Sequence, residues 1–177
     1  MRVDLHSHST ASDGRLSPAE LVRRAEVQQV ALLALTDHDT VAGIGEAEAV
    51  IAAENLPVRL IHGIELSTSW DALEIHVVGL HINAESAELM ATIASQEAAR
   101  VARGIELGRR LAKQRIEGAY EGALTLANGA SLTRAHFARY LVEIGIAKDV
   151  PSVFLSYLTP GKPGYVDHRW ASLEDAV

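Results

Sequence analysis

Cysteine is absent from the 177-residue chain, and that absence excludes a disulfide framework, a thiolate zinc site and a thiol nucleophile. Long apolar runs are missing too. None approaches the roughly 18 residues of a spanning helix, and no charged segment followed by an apolar one opens the chain. A cytoplasmic protein with no membrane partner is the expectation. Basic residues are the minority, with Lys+Arg 16 against Asp+Glu 23 and a formal net charge of −7. That balance argues against a general nucleic-acid coat or a binder of anionic membranes. It leaves room for a nucleotide or a short oligonucleotide held by a local basic patch. Internal repeats and low-complexity linkers are absent as well, and nothing marks a stable protein partner. A hydrophobic content of 48% suffices for one domain with a sizeable core.

What the chain does have is histidine in particular places. A short apolar entry (Val3, Leu5) runs into His6-Ser7-His8, and Asp13 follows five residues later. Residues i and i+2 of a strand share a face. Two imidazoles so placed at a strand end can bind one metal ion, and the following loop can return a carboxylate to it.

Taken in order, Arg2 to Leu5 reads as a strand. Ser17-Pro18-Ala19-Glu20 is a helix start, with Ser17 as N-cap, Pro18 in the first helical position and Glu20 completing a capping box. The helix is expected over 18–28. Val30 to Leu35 is a continuous apolar run, the mark of a strand buried on both faces. It ends abruptly in Thr36-Asp37-His38-Asp39-Thr40, where Asp39 or Thr40 is the expected cap of a helix over 41–54. A third strand begins at Val58 and ends near Glu65-Leu66. The β-α-β-α-β order implies a parallel sheet with right-handed crossovers.

Leu73 to Leu80 is a further strand, too close to the third for a parallel crossover, which needs roughly a dozen residues. A hairpin turning at Ser69-Trp70-Asp71-Ala72 is therefore expected, with Glu65 directly opposite His76. From Ala84 to about Ile116 the composition is helical, although Gly104 and Gly108 weaken the case for one unbroken helix. Helices are expected between Gly118 and Gly129, and from Thr133 to Ile144 with Ser131 or Thr133 as cap and Gly145 as stop. A short apolar segment follows at 153–158, then a Pro-Gly loop over 159–164 and a last helix from Ser172. Four strands are expected in all.

The polar residues gather at strand ends: His6 and His8 after the first, Asp37 and His38 after the second, Glu65 closing the third, and His76 on the returning fourth. Parallel α/β folds build their sites beyond the carboxyl ends of strands. His38 alone between two aspartates would read as a loop histidine, and His76 alone as a surface residue. Glu65 in an apolar strand needs a cationic partner. Together, His6, His8, Asp13, His38, Glu65 and His76 form a nitrogen-and-oxygen ligand set suited to Zn²⁺, Mn²⁺ or Fe²⁺, numerous enough for more than one ion. His62, His81 and His168 have no such context.

These motifs carry a resemblance. His6-Ser7-His8-Ser9, Ser12-Asp13-Gly14, Thr36-Asp37-His38-Asp39, Gly63-Ile64-Glu65 and His76-Val77-Val78-Gly79 resemble, in order and spacing, the first motifs of the PHP (polymerase and histidinol phosphatase) superfamily. Thr133-Arg134-Ala135-His136-Phe137-Ala138-Arg139 and the 157–166 segment are similar to the 3′,5′-nucleoside bisphosphate phosphatases and the related bacterial 5′-to-3′ exoribonucleases. The resemblance implies an α/β fold, a distorted (β/α)7 barrel with an inserted helical domain. On this reading residues 1–83 are the first part of the metal-binding barrel, 84–160 the substrate-binding insertion and 161–177 the return to the barrel. It implies two or three divalent ions, manganese above all, with zinc or iron as alternatives. His6, His8 and Glu65 would hold the first ion, Glu65 would bridge to a second on His76, and Asp13 with His38 would hold a third. Asp13 and Glu65 would be the catalytic carboxylates, and a metal-bound hydroxide would attack phosphorus.

The same resemblance assigns the substrate, a phosphorylated small molecule or short RNA, to Arg100, Arg103, Arg134 and His136. Arg100 and Arg103 share a helix face, followed by Arg109, Arg110, Lys113 and Arg115. The implied activity is a metal-dependent phosphoesterase releasing phosphate from 3′,5′-nucleoside bisphosphates, with trimming of short RNA from its 5′ end. A histidinol-phosphatase-like phosphomonoesterase is the alternative. The family's remaining ligands, a His and an Asp-x-His, have no counterpart before Val177. The sequence is therefore expected to be the N-terminal portion of such a barrel, and a fragment serving only as a metal-binding or folding unit is a further alternative.

Overall fold

A computed structural model describes residues 1–71 and 73–176. Ala72, expected in the hairpin turn, and Val177 lie outside the described residues. The chain divides into two compact units, the first comprising Met1–Gln96 with Trp170–Val177, the second Glu97–Arg169.

The first unit is an α/β layer. Strands β1 (Arg2–Ser7), β2 (Val30–Leu35) and β3 (Arg59–Trp70) run parallel, with helix α1 (Pro18–Val27) and helix α2 (Ile44–Glu54) as crossovers. Helix α1 begins as its sequence dictates: Ser17 Oγ accepts from the Glu20 N–H, and Glu20 accepts from the Ser17 N–H. Helix α2 does not begin at its expected cap. It starts three residues later, at Ile44, with Gly43 as N-cap and no side-chain cap bond. Asp39 is spent elsewhere, with φ +50° and its carboxylate accepting from the Ser67 N–H at 2.8 Å. Both helices pack through Val22, Ala25, Ile44 and Ala47 onto Leu33 and Leu35. Only the second half of β2 is buried on both faces; Val30 to Leu32 are half-buried.

Strand β3 is long because it changes partner. Its first residues pair with β2, Leu35 opposite His62, and from Gly63 onward it pairs antiparallel with β4 (Leu73–Leu80). The expected hairpin is present, but its register differs: Ser67 stands opposite His76, and Glu65 opposite Val78. The hairpin's centre falls one residue later than the expected Trp70–Asp71, since Trp70 pairs with Leu73. A fifth strand, β5 (Ala171–Ser172), lies parallel to β3 at Thr68 and Ser69 where a helix was expected. That pairing bridges about a hundred residues, and no local signal announces it. Among the described residues a short 3₁₀ turn follows, over Glu174–Ala176.

The second unit is helical. Helix α3 (Ala87–Ala112) runs unbroken through Gly104 and Gly108 and carries the chain from the first unit into the second. Propensity loses to packing there: a Cβ on Gly108 would lie 2.7 Å from Tyr120 Cβ, and one on Gly104 2.6 Å from Leu132 Cδ2. Helices α4 (Ala119–Ala127) and α5 (Arg134–Glu143) follow, the latter capped by Thr133 and followed by Gly145 at φ +78°. A short α6 (Val150–Val153) runs into a π-turn over Phe154–Leu158. Leu107, Leu111, Ala123, Phe137, Leu141 and Leu158 form the buried centre of this unit. Among the described residues, no helix is long and apolar enough to cross a membrane.

Candidate metal centre

The six proposed ligands all belong to the first unit, at the end of the sheet where β1 and β2 stop and β3 changes partner. His6 lies within β1 and His8 just past its end. Their Nε2 atoms are 3.1 Å apart, and each is 2.8 Å from the same Glu65 oxygen, Oε2. An ion with ligand bonds of about 2.0–2.2 Å in tetrahedral geometry spaces its donors by about 3.4 Å. A triangle of 2.8–3.1 Å is close to that, and two imidazole nitrogens converging on one carboxylate oxygen is an arrangement an ion resolves better than a proton. The donor set fits a divalent metal.

Asp13 comes back to His8 as the sequence predicts, its Oδ1 3.1 Å from Nδ1 of His8 and its Oδ2 3.8 Å from Nε2 of His38. The loop that returns it is clamped. Asp37, 1% exposed, accepts from the Ser9 N–H and the Ser9 Oγ at 2.7 Å each and from the Ser12 Oγ at 2.6 Å. At Gly14 a Cβ would lie 2.3 Å from the His8 carbonyl oxygen, so only glycine fits the loop's close return. His38 bridges in register to Glu65, and its Nδ1 is 3.6 Å from Glu65 Oε2. On the other side, Nδ1 of His76 lies 2.9 Å from Glu65 Oε1. This pair forms despite the shifted register, because Glu65 and His76 are diagonal neighbours on one face of the hairpin.

Three overlapping groups result, with ligand atoms in each within 4.8 Å of one another: His6, His8 and Glu65; His8, Asp13 and His38; His38, Glu65 and His76. Glu65 is the hub. Burial raises its pKa, but hydrogen bonds to His76, His8 and His6 and the charge of His38 outweigh this and hold the carboxyl well below the usual carboxylate range. Burial pulls the His8 imidazolium down, yet Asp13 and Glu65 lift it to about 9. The hydrogen bond to Glu65 and the nearby Glu74 carboxylate lift His76, against burial, also to about 9. Protonated His8 and His76 would supply the positive charge beside Glu65 that a bound cation supplies.

The four predicted substrate residues lie in the second unit. Arg100 and Arg103, on α3, are 6% and 8% exposed, and Arg100 Nη1 donates to the Leu132 carbonyl at 3.2 Å. Arg134 opens α5. His136, 2% exposed, closes the N-terminus of that helix, its Nδ1 accepting from the Thr133 N–H at 3.1 Å. Nδ1 is thereby fixed as acceptor and Nε2 left to carry the proton. Arg109 and Arg110 do not extend the set. Both pair with Glu106, whose carboxyl they pull down to about 2, and Arg110 also donates to the Tyr165 carbonyl.

Two residues to which sequence reasoning gives no role support the site. Asp37 is the buried clamp just described. Glu74 sits two residues before His76 on β4, with Oε1 3.9 Å from Nε2 of that histidine. Its signal was the same i, i+2 alternation that made His6 and His8 conspicuous.

The chain is similar to several known proteins. The chain is 49% identical over 174 residues to the 5′-3′ exoribonuclease Rnm of Salmonella typhimurium, covering 98% of this chain and 59% of that protein. It is 46% identical over 176 residues to the 3′,5′-nucleoside bisphosphate phosphatase of Chromobacterium violaceum, covering 99% and 61%. An amidohydrolase structure from Chromobacterium violaceum, with bound sulfate and no metal, superposes with a TM-score of 0.93 at 45% identity, over 100% of this chain and 62% of that one. The chain thus spans about three-fifths of the length of these relatives. The PHP domain model matches residues 4–159, a span that takes in all six converging side chains, and the chain belongs to the PHP domain family.

Proposed function

We propose that the protein is a metal-dependent phosphoesterase that releases phosphate from nucleoside 3′,5′-bisphosphates and trims short RNA from its 5′ end. The observation that carries this reading is the convergence of four imidazoles about the single carboxylate of Glu65, with Asp13 joined to them at His8 and His38. Relatives of the two names given above, matched over nearly the whole chain, supply the substrate class. His6, His8 and Glu65 would hold one divalent ion, Glu65 and His76 a second, and Asp13 with His38 a third. Manganese is the proposed metal, within a donor set that also admits zinc or iron. When bound, such ions polarise phosphoryl oxygens, acidify water and neutralise developing charge.

The chain's own residues divide the remaining work. Asp13 and Glu65 are the proposed catalytic carboxylates, the first fixed by the clamped loop and the second by its imidazole partners. Arg100, Arg103 and Arg134 are proposed to bind substrate phosphate, since a guanidinium fork matches two phosphate oxygens at once. His136, with Nδ1 occupied, offers Nε2–H as a neutral donor.

The test is phosphate release from adenosine 3′,5′-bisphosphate by the intact protein with Mn²⁺, run beside histidinol phosphate. Release from the bisphosphate alone is expected. His6→Ala is expected to abolish it with little change in far-UV circular dichroism. Preference for histidinol phosphate, or no turnover of either compound, overturns the proposal.

A further inference from the structure

His76 meets Glu65 differently from His6 and His8. His6 and His8 both point Nε2 at Glu65 Oε2, whereas His76 points Nδ1 at Oε1, at 2.9 Å. The ring's other nitrogen therefore faces away, and what it faces is a carboxylate. Glu74 lies on the same face of β4, and its Oε1 is 3.9 Å from Nε2 of His76. At that separation the contact is electrostatic rather than a direct hydrogen bond. Its sign is still clear: a carboxylate beside one ring nitrogen favours the proton on that nitrogen.

Glu74 is itself held. The Trp170 indole N–H donates to the same Oε1 at 3.0 Å, and Trp170 is 6% exposed. The tryptophan is anchored in turn, its backbone N–H donating to Ser69 Oγ at 2.8 Å where β5 joins β3. A chain of contacts thus runs from the β5 attachment through Trp170 and Glu74 to His76, all within the first unit.

We infer that Glu74, held by Trp170, is a positioning residue that fixes His76 in its Nε2–H form and so makes Nδ1 the nitrogen that ligates metal. The inference rests on the proposal that His76 is a ligand and adds which atom ligates and what selects it. Metal-bound histidines commonly direct their second nitrogen at a carboxylate, and loss of that partner costs about 10- to 100-fold in metal affinity. Here the partner lies two residues away on the same strand and is braced from a segment about a hundred positions downstream.

The experiment is histidine ¹⁵N NMR of the labelled protein titrated with Zn²⁺, in which ring nitrogens show separate metallated, protonated and acceptor shifts. His76 is expected to be metallated at Nδ1 and protonated at Nε2, whereas His6 and His8 are metallated at Nε2. Metallation of His76 at Nε2 overturns the inference and leaves the metal centre standing. Failure of His76 to respond to Zn²⁺ removes its ligand role and the inference with it. Glu74→Ala is expected to weaken Zn²⁺ binding at His76 by about 10- to 100-fold, with Glu74→Gln recovering part through its amide oxygen. Unchanged affinity in Glu74→Ala overturns the positioning role. The His6 and His8 signals in the same spectra report whether each variant keeps the site intact. If they are lost, the nitrogen assignment in the unsubstituted protein decides.

Discussion

The two units bury different things. In the first, much of what is hidden near the sheet's active end is polar: Ser9, Ser12, Asp37, Asp39, Glu65 and Ser67 are all below a tenth exposed. These groups offset their desolvation through bonds within the site, such as the three that Asp37 accepts and those of Glu65 to His6 and His76. In the second unit the centre is leucine, alanine and phenylalanine, closed by glycine notches that admit tyrosine rings. The contrast teaches that the proposed metal ligands are aimed by a buried polar network, whereas the buried Arg100, Arg103 and His136 of the second unit belong to a body whose centre is apolar. The chain carries its own labels for the two, because both tryptophans (Trp70, Trp170) belong to the first unit and all four tyrosines (Tyr120, Tyr140, Tyr157, Tyr165) to the second.

The strongest attack on that contrast is to break the apolar unit alone. Phe137, 1% exposed, is among the largest fully buried side chains. Phe137→Ala is expected to cost about 3–5 kcal/mol of stability, read as an earlier urea midpoint in the tyrosine near-UV signal. Mn²⁺ affinity, followed through tryptophan fluorescence, is expected to stay the same. A parallel loss of metal affinity would show that the units share their stability and that the contrast is false.

A pH series sharpens the contrast from the other side. In the metal-free protein His8 and His76 have pKa values of about 9, above the ordinary 6.5 of an unfolded chain. Their protonated forms contribute stability in full below pH about 6.5, and the contribution fades as pH rises through about 9. Glu65 has the opposite sign: its depressed value contributes above the ordinary 4.5 and is lost only in strong acid. With a chelator present, the tryptophan-reported unit should therefore weaken from near-neutral pH to about 9. Metal requires the imidazoles neutral, so Mn²⁺ affinity should climb over the same interval. Stability that stays level with pH in the chelated protein would contradict the reading of the site as protons standing in for cations.

How much of this was legible in sequence depended on distance along the chain. The capping box at Ser17 and Glu20 and the parallel order of the first three strands are written in local patterns and appear as read. The Glu65–His76 pair was legible from its spacing, although the register that delivers it is diagonal rather than opposed, because the residue on which the hairpin centres is not encoded in the alternation of its flanks. Asp39 misled as a helix cap because its real partner, the Ser67 N–H, is 28 residues away. Gly104 and Gly108 read as breaks because propensity cannot know that Tyr120 and Leu132 need the space. The β5 pairing and the Trp170–Glu74 contact are the least local features, and neither was visible.

The smallest effect is the most discriminating about the clamped loop. It leaves β1 at Ser7, carries His8 and Asp13, and ends at Ser17, the N-cap of α1. Either end can be what fixes the ligands. At the α1 end the capping box satisfies helix N–H groups that otherwise face water, and Ser17→Ala is expected to cost about 1 kcal/mol. At the β1 end Asp37 binds Ser9 and Ser12, which flank the ligand turn, and these bonds are buried whereas the cap is exposed. If position is set by the buried clamp, Ser17→Ala lowers the urea midpoint of the tryptophan signal and leaves Mn²⁺ affinity where it was. A fall in affinity with that loss of stability would mean that the loop is held from the helix. The polar network would then be a consequence of the fold around it rather than the device that aims His8 and Asp13.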